Sequence, residues 1–390
     1  MCHSARRQGA WQATNKRERV LKALAHQEPD MVPIFSLGFE QSCTAYAAFL
    51  KSPERKAALL NLPGTSDITE PRFWNADLWA MHTWKEFTSE YYPPPSEFKD
   101  GYVLHFTGRV YRAEMTGSRS GVPFRWYHAG AFTSPEVVHA YWDQHGKPAD
   151  LIDDTQDYSP RVWQKYVDTL APHVFPMAWL TLSIHEGLFE GMTLPRMAYY
   201  MRKKPAFVHE VADAFLDANI ELAKRFGEAG VEVVFYSDDF AGKGQSILSR
   251  ADFEAFILPR YKKLYDACKK RGMQVIQHSC GQVGEYLPLL VDAGLAGIQA
   301  LEQEAGVDLA AIKESLGDRV TLVGGIDSSR VLSLGTPADV AADVKNCMTA
   351  AARGGGYIAG PSHSLLDVPW ENVLAMRDSI EKYRRYPIRF

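Results

Sequence analysis

The chain has 390 residues, of which 46% are hydrophobic and 23% charged, the balance of an ordinary globular protein. Its formal net charge of −4 supplies no positive field for nucleic acid or an anionic membrane, so we expect neither as a partner. The five cysteines are odd in number and scattered, and no apolar run is long enough to span a membrane, which predicts a cytoplasmic protein without disulfides.

The N-terminal part is irregular in pattern. Residues 1–14 are basic and polar without the apolar core of a signal peptide, and we expect a disordered leader before a single domain of residues 15–390. Asn15 is the expected cap of a helix that places Val20, Leu21 and Leu24 on one face. The pattern then predicts a strand at 31–35, a helix within 39–61 and irregular structure over 62–100.

A β-hairpin is predicted next, because residues 102–115 alternate in polarity around Thr107 and Gly108. After about residue 172 strands alternate with helices. The predicted strands are 174–182, 231–236, 273–277, 297–301, 319–323 and 357–359. Together with the earlier candidates the total approaches eight, which favours an α/β fold, a single (β/α)8 TIM-like barrel with an elaborated N-terminal region, over an open doubly wound sheet. No Gly-X-Gly-X-X-Gly follows a strand, so a dinucleotide site is not expected.

Chemically active side chains collect where the predicted strands end. His278 and Cys280 stand two residues apart after 273–277, so an imidazole and a thiol face one side, which suits zinc. The other strand ends carry Tyr236, Asp238, Asp239, Glu302, Asp327 and His363. Each has an ordinary explanation alone: Asp327 as a helix cap, Glu302 as a solvated charge, His363 as a core hydrogen-bonding group. Together they predict an active site at the C-terminal edge of a barrel.

Several segments resemble the uroporphyrinogen decarboxylase superfamily. They are residues 17–33, His-Ser-Cys-Gly at 278–281, Gly-Gly-Ile-Asp at 324–327, Leu-Gly-Thr-Pro at 334–337, residues 354–363 and Pro-Trp-Glu-Asn at 369–372. The resemblance covers roughly 15–35 and 230–385 and is closest to the branch of zinc-dependent, corrinoid-linked methyltransferases. It implies a barrel fold, a Zn2+ ion and a corrinoid (cob(I)alamin or methylcobalamin) carried by a partner protein.

Two departures from the family pattern refine this expectation. Family decarboxylases carry an arginine-rich segment soon after the first strand, whereas residues 34–46 contain no basic residue. A substrate with many carboxylates needs such cations, so decarboxylation becomes the weaker alternative. The methyltransferase branch usually has a second zinc-binding cysteine near the last strand, where this chain has Ser362 and His363.

The zinc ligands implied by the resemblance are His278, Cys280, Glu302 and His363. Their intervals resemble those of the zinc site in cobalamin-independent methionine synthase, another barrel methyltransferase. Ser362 or water are the alternatives to His363 as fourth ligand. One thiolate and one carboxylate would neutralise Zn2+, which favours a Lewis acid that polarises the oxygen of a methyl ether.

The resulting hypothesis is an O-demethylase-type methyltransferase that passes a methyl group from a small methylated donor to the corrinoid of a separate protein. Asp238, Asp239 or Tyr236 would protonate the leaving oxygen. No Asp-X-His-X-X-Gly segment occurs, so the corrinoid is expected on a partner. The aromatic N-terminal half suits a methoxyarene. The alternatives are a porphyrinogen decarboxylase, a methylcobalamin:thiol methyltransferase and a non-enzymatic zinc scaffold. The direction of transfer and the oligomeric state, a homodimer included, are left open.

Overall fold

The computed structural model describes residues 15–36, 38–41, 43–60, 68–81, 91–96, 98, 101–114, 124–152, 158–180 and 182–390. The predicted leader lies outside these residues. The helices are α1 Lys16–Leu24, α2 Thr44–Lys51, α3 Pro53–Ala58, α4 Thr69–Phe73, α5 Pro135–His145, α6 Pro160–Leu170, α7 His185–Met192, α8 Leu194–Lys203, α9 Pro205–Glu228, α10 Arg250–Asp252, α11 Leu258–Lys269, α12 Leu287–Asp292, α13 Leu309–Leu316, α14 Pro337–Ala351 and α15 Trp370–Tyr383. None of these helices is both long and apolar enough to cross a lipid bilayer.

The strands belong to three sheets. They are β1 Leu78–Met81, β2 Tyr91–Tyr92, β3 Tyr102–His105, β4 Arg109–Glu114, β5 Phe124–Gly130, β6 Phe175–Leu180, β7 Val233–Ser237, β8 Ala241–Gly242, β9 Gln245–Ser246, β10 Gln274–His278, β11 Gly297–Ala300, β12 Thr321–Gly324 and β13 Tyr357–Ile358. Within the described chain the largest sheet has the order β1-β6-β7-β10-β11-β12-β13, and every neighbouring pair in it is parallel.

This parallel sheet is curled, and residues 34 and 35 lie between its two outer strands. Ile34 forms a parallel bridge with Ala359 just beyond β13, and Phe35 forms one with Leu78 at the start of β1. The predicted first strand is therefore reduced to isolated bridges. The α/β architecture and the curled sheet of a barrel agree with the sequence-based expectation, since helices follow the strands along the chain.

The inner face of the curled sheet is filled by apolar side chains. Strands from one edge of the sheet to the other contribute to this interior cluster. It includes Phe35, Leu78, Met177, Phe235, Ile276, Val323 and Ile358. Val20, Ala23 and Leu24 of α1 pack into the same cluster. The predicted cap is confirmed, because the Asn15 side chain accepts a hydrogen bond from the Glu18 N–H. Helix α1 therefore closes the interior at one end.

That closed end is the N-terminal end of the strands. Lys16 Nζ donates to the Ala76 carbonyl over 2.7 Å, just before β1, and Thr321 Oγ1 at the start of β12 donates to the Ala23 carbonyl. Four charged side chains lie there, three of them buried and one, Asp30, half-buried; we call them the base network: Arg19, Asp30, Asp77 and Arg384. Arg19 pairs with both carboxylates, and Arg384 lies 3.1 Å from Asp77. The network ties α1 to the chain before β1 and to the end of α15.

The antiparallel sheet β2-β3-β4-β5 packs against α7. Strands β3 and β4 pair through a turn in which Gly108 has φ of +85°, and a Cβ there would strike the Phe132 ring at 2.5 Å. The Phe132 N–H donates to the Gly191 carbonyl at the end of α7 over 2.9 Å. Since α7 follows β6 closely, this small sheet lies beside the C-terminal edge of the barrel strands.

Two sequence-based predictions were wrong. The segment 62–100, predicted to be irregular, contains α4 and β1, the first strand of the parallel sheet. Strand β1 is only four residues long and sits in a stretch dominated by large aromatics, so its pattern gave no clear periodicity. The helical pattern of residues 186–200 predicts one continuous helix, whereas the structure has two, α7 and α8, separated at Thr193, where φ is +68°.

Candidate metal centre

The centre begins at the last residue of β10. This strand lies between β7 and β11, and Ile276 belongs to the interior cluster, so His278 two residues later faces the same side. The chain turns at Gly281, where φ is +85° and a Cβ would lie 2.7 Å from the backbone of Ala241. Only glycine fits there without displacing main chain, and this turn leaves Cys280 at the strand end.

Three side chains converge at this point. The ligand atoms of His278, Cys280 and His363 all lie within 4.8 Å of one another. Cys280 Sγ is 3.5 Å from Nε2 of His278 and 3.2 Å from Nε2 of His363. His363 arrives on the loop after β13. The end of β10 and the loop after β13 therefore bring two nitrogens and one sulfur together.

The spacing of these atoms matches a tetrahedral zinc site. With Zn–S of about 2.3 Å and Zn–N of about 2.05 Å, tetrahedral geometry places sulfur and nitrogen about 3.6 Å apart. The observed separations of 3.5 and 3.2 Å are close to this value. Nitrogen and thiolate sulfur are also the donor types that zinc prefers in proteins. The donor set therefore fits a zinc ion.

Glu302, the fourth predicted ligand, lies beside the cluster and outside the converging group. Leu301 before it has φ of +62°, which turns the chain sharply at the end of β11. The Glu302 carboxylate accepts a hydrogen bond of 2.9 Å from the Gly281 N–H, one residue beyond Cys280. Glu302 therefore contacts the backbone beside Cys280 and not the ligand atoms themselves. The Ser362 hydroxyl, an alternative ligand, is buried and lies 3.2 Å from Ser328 Oγ.

The two histidines have different partners at their Nδ1 atoms. His278 Nδ1 meets Oε1 of Gln299 on β11. His363 Nδ1 lies 3.0 Å from the backbone N–H of Ser364 and therefore accepts a hydrogen bond. A neutral imidazole that accepts at Nδ1 carries its proton on Nε2, so His363 presents an N–H towards Cys280 Sγ. Coordination of a metal by His363 Nε2 requires release of the Ser364 contact.

The three predicted proton donors occupy different environments. Asp238 is fully buried and accepts hydrogen bonds from the hydroxyls of Tyr236 and Tyr261 and from three N–H groups at the start of α7. Tyr236 is likewise buried, and its hydroxyl also meets the Ile184 N–H. Both side chains therefore use their oxygen atoms to anchor the start of α7. Asp239 is half-buried, accepts from the Cys280 N–H over 2.8 Å and lies 3.6 Å from His278 Nε2.

The centre is rich in negative charge. Burial, followed by repulsion from Asp239 and Glu302, raises the pKa of the Cys280 thiol. Burial and the neighbouring Glu186 raise the pKa of Asp239 to about 7. Burial lowers the pKa of His278, so that its imidazole is neutral and able to act as a ligand. A thiol in such surroundings ionises only when a cation offsets the charge.

An ion cluster that the sequence did not point out adjoins this region. Arg109 of β4 is buried and reaches Glu186 (2.8 Å) and Glu190 (2.7 Å), both on α7. Burial raises the pKa of Glu190 to about 7, with Arg109 opposing the rise. The only signal in the sequence was the spacing of the two glutamates by four residues, which is too common to interpret. One guanidinium faces two carboxylates, so it is already neutralised.

Known proteins resemble this chain in sequence over about half of its length. The family model described as Uroporphyrinogen decarboxylase (URO-D) matches residues 187–383. The chain is 24% identical over 212 residues to uroporphyrinogen decarboxylase of Psychromonas ingrahamii, which covers 53% of this chain and 56% of that protein. It is 28% identical over 182 residues to the methylcobamide:CoM methyltransferase MtaA of Methanosarcina barkeri, covering 46% and 50%. The match thus spans about half the length of these relatives.

The similarity of the fold extends further than that of the sequence. A solved methyltransferase structure from Methanosarcina mazei covers 95% of this chain and 99% of that chain, with a TM-score of 0.66 at 18% identity. At this identity the likeness concerns the fold, including the N-terminal part that the family model leaves out.

Proposed function

The chain belongs to the uroporphyrinogen decarboxylase family, and within it we propose that the protein is a zinc-dependent methyltransferase that passes a methyl group from a small methylated donor to the corrinoid of a separate protein. A methoxylated aromatic compound is the proposed donor. The observation that carries the proposal is the convergence of His278, Cys280 and His363 at the C-terminal edge of the parallel sheet. The fold of a solved methyltransferase over nearly the whole chain is consistent with it.

The proposed zinc partners are the residues around Cys280. His278 and Cys280 would hold the ion, and Glu302 and His363 would complete its surroundings, His363 either as a ligand or as an N–H donor to the thiolate. Bound there, Zn2+ would supply the Lewis acidity that polarises the oxygen from which the methyl group leaves. Asp239 is the proposed proton donor to that oxygen, since it borders the cluster while Asp238 and Tyr236 are committed to α7.

Charge at the centre argues against a porphyrinogen decarboxylase. A substrate with many carboxylates needs unpaired cations, whereas Asp239, Glu186, Glu190 and Glu302 make the region acidic. Arg109 is the described arginine that reaches these acids, and both glutamates neutralise it. Repulsion of an anionic substrate favours a neutral donor such as a methyl ether.

A thiol methyltransferase is the second candidate. Relatives such as MtaA are named methylcobamide:CoM methyltransferases, and the His278-X-Cys280 arrangement of this chain supports a site for a thiol. Zn2+ held by His278 and Cys280 would lower the pKa of a thiol substrate and so make its sulfur nucleophilic towards a methyl group. The first candidate transfers a methyl group to the corrinoid and the second transfers it from the corrinoid, so an experiment can distinguish them.

The experiment follows the methyl group in both directions with the purified protein. Free cob(I)alamin and a panel of methoxybenzenes test demethylation, read as methylcobalamin absorbance, and methylcobalamin with coenzyme M tests thiol methylation. We expect methylcobalamin to form from at least one methoxylated donor, with zinc required. Cys280→Ser serves as the inactive control and Cys43→Ser as the active one.

Three results would change the assignment. Thiol methylation alone would select the second candidate. Coproporphyrinogen formation from uroporphyrinogen at an enzymatic rate would assign a decarboxylase and refute the proposal. Stoichiometric zinc without any methyl transfer, either to free cobalamin or to corrinoid proteins encoded near the gene, would leave a zinc scaffold.

A further inference from the structure

We propose that Gln299 is a positioning residue of the metal centre, which holds His278 with its Nε2 lone pair towards the metal and fastens the loop that carries His363. The inference rests on the proposed zinc site. Gln299 is completely buried on β11, and its side chain lies between His278 and the loop 361–363. It touches neither a substrate position nor the converging ligand atoms, so it acts through the two histidines.

The orientation of the Gln299 amide follows from its neighbours. One end lies 3.1 Å from the carbonyl oxygen of Ser362 and 3.5 Å from that of Pro361. Backbone carbonyls only accept hydrogen bonds, so this end must be the NH2 group. The other end, Oε1, therefore faces Nδ1 of His278 and can only accept.

The orientation of this amide fixes the tautomer of His278. Because Oε1 of Gln299 accepts, Nδ1 of His278 must carry the proton, and Nε2 of the neutral ring is left as a lone pair. That nitrogen is the one 3.5 Å from Cys280 Sγ. Burial of both residues excludes water as a substitute acceptor. Outer partners of this kind orient metal-bound histidines and raise their basicity.

The same amide links the end of β10 to the loop after β13. His278 and Gln299 are directly opposite in the parallel register of β10 and β11. The NH2 group of Gln299 donates to the carbonyl of Ser362, the residue before His363. Gln299 thus adds a direct link between His278 and the loop that carries His363, a loop that is also held by hydrogen bonds to Ile326 and Ser328. A polar residue at a fully buried strand position is costly unless all its groups are bonded, which these contacts achieve.

The test compares two buried glutamines on neighbouring strands. Gln299→Met removes both hydrogen bonds at nearly constant volume. Gln277→Met is the matched control, because Gln277 is equally buried on β10 but its Oε1 accepts from Tyr265. We expect Gln299→Met to lower zinc affinity about 10- to 100-fold, measured by competition with a chromophoric chelator, and Gln277→Met to leave it within about threefold. Gln299→Glu keeps an acceptor for Nδ1 of His278 but sets a second acceptor against the carbonyl of Ser362, so it should recover only part of the loss.

Two further measurements separate this inference from the proposed function. Co2+ in place of zinc should give altered ligand-field bands in Gln299→Met and unchanged bands in Gln277→Met. In the metal-free wild-type protein, 15N shifts of labelled histidine should show His278 protonated at Nδ1. Protonation at Nε2, or an unchanged zinc affinity in Gln299→Met, would overturn the role of Gln299 while leaving the zinc enzyme intact. A wild-type protein that binds no metal yet shows the Nδ1–H tautomer would refute the zinc function alone.

Discussion

The polar side chains at the two ends of the curled sheet differ in whether their charges are compensated. At the N-terminal end, each charge of the base network meets an opposite charge: Arg19 pairs with Asp30 and Asp77, and Arg384 pairs with Asp77. At the C-terminal edge, a thiol and two imidazoles converge while carboxylates gather beside them. The charges of the base network compensate one another, whereas the thiol and carboxylates at the C-terminal edge need a cation to compensate them.

This difference separates stability from function within one barrel. Breaking a buried ion pair is strongly destabilising because an uncompensated charge is left inside. A cluster of neutral ligands and repelling carboxylates, in contrast, contributes little to folding and becomes favourable when a metal binds. Substitutions at the base should therefore change the free energy of unfolding, and substitutions at the edge should change metal binding and turnover.

The largest expected effect is at Cys280. Cys280→Ser replaces the thiolate by a neutral hydroxyl, a poor zinc ligand, and should weaken zinc binding by more than about 100-fold, beyond the usual cost of losing an outer partner. Metal analysis of protein purified without chelator measures the loss. Cys43→Ser and Cys347→Ser are matched controls, since both cysteines are buried and neither belongs to the cluster. Equal losses in all three variants would remove Cys280 from the centre.

The next effect is at the base. Asp77→Ala leaves Arg19 and Arg384 without their shared partner and should lower the free energy of unfolding by about 3–5 kcal/mol, measured in urea. The folded fraction should still bind one zinc per chain. Asp292→Ala is the control, because its pair with Arg319 is exposed and should contribute less than about 1 kcal/mol. Loss of zinc from folded Asp77→Ala would break the division between the two ends.

The adjacent residues Asp238 and Asp239 test whether stability and function are also separated among residues at the C-terminal edge. Asp238→Asn turns an NH2 group towards N–H donors of α7 and should cost about 3 kcal/mol of stability. Asp239→Asn removes a half-buried carboxylate and should leave stability almost unchanged while turnover falls about 100-fold. Thermal unfolding and methyl transfer are measured on both variants. If Asp238→Asn were stable and inactive, Asp238 would be the proton donor.

The sequence predicted the regular half of the fold better than the irregular half. Strands from residue 174 onwards have apolar β-branched cores bounded by glycine and short loops, and their predicted positions agree with β6, β7 and β10 to β13 within a few residues. The sequence did not predict strand β1, because its four residues lie among aromatic residues and show no clear alternation of polarity. The short bridges of Ile34 and Phe35 depend on tertiary pairing with Ala359 and Leu78, which no local pattern encodes.

The site shows a similar division. The position of His278 and Cys280 could be inferred because residues two apart at a strand end share a side. The partners of their atoms could not be inferred. Gln299 is a polar residue inside an apolar strand, which was a usable signal, but its two partners are 21 and 63 residues away in sequence. The saturation of Asp238 by five donors likewise depends on α7 and α11, so only the structure distinguishes it from Asp239.

The smallest and most specific effect concerns His363, whose role depends on one proton. Because Ser364 donates to Nδ1, the ring presents Nε2–H to Cys280 Sγ, and we expect a hydrogen bond to the thiolate in place of coordination. His363→Gln places an amide N–H near the same point and should keep zinc affinity within about tenfold, whereas His363→Ala should reduce it further. Zinc titration of the two variants measures the difference. If His363→Gln loses zinc as completely as Cys280→Ser, His363 is a ligand. His363→Cys should then retain zinc but slow ether demethylation, because a second thiolate makes the ion a weaker Lewis acid.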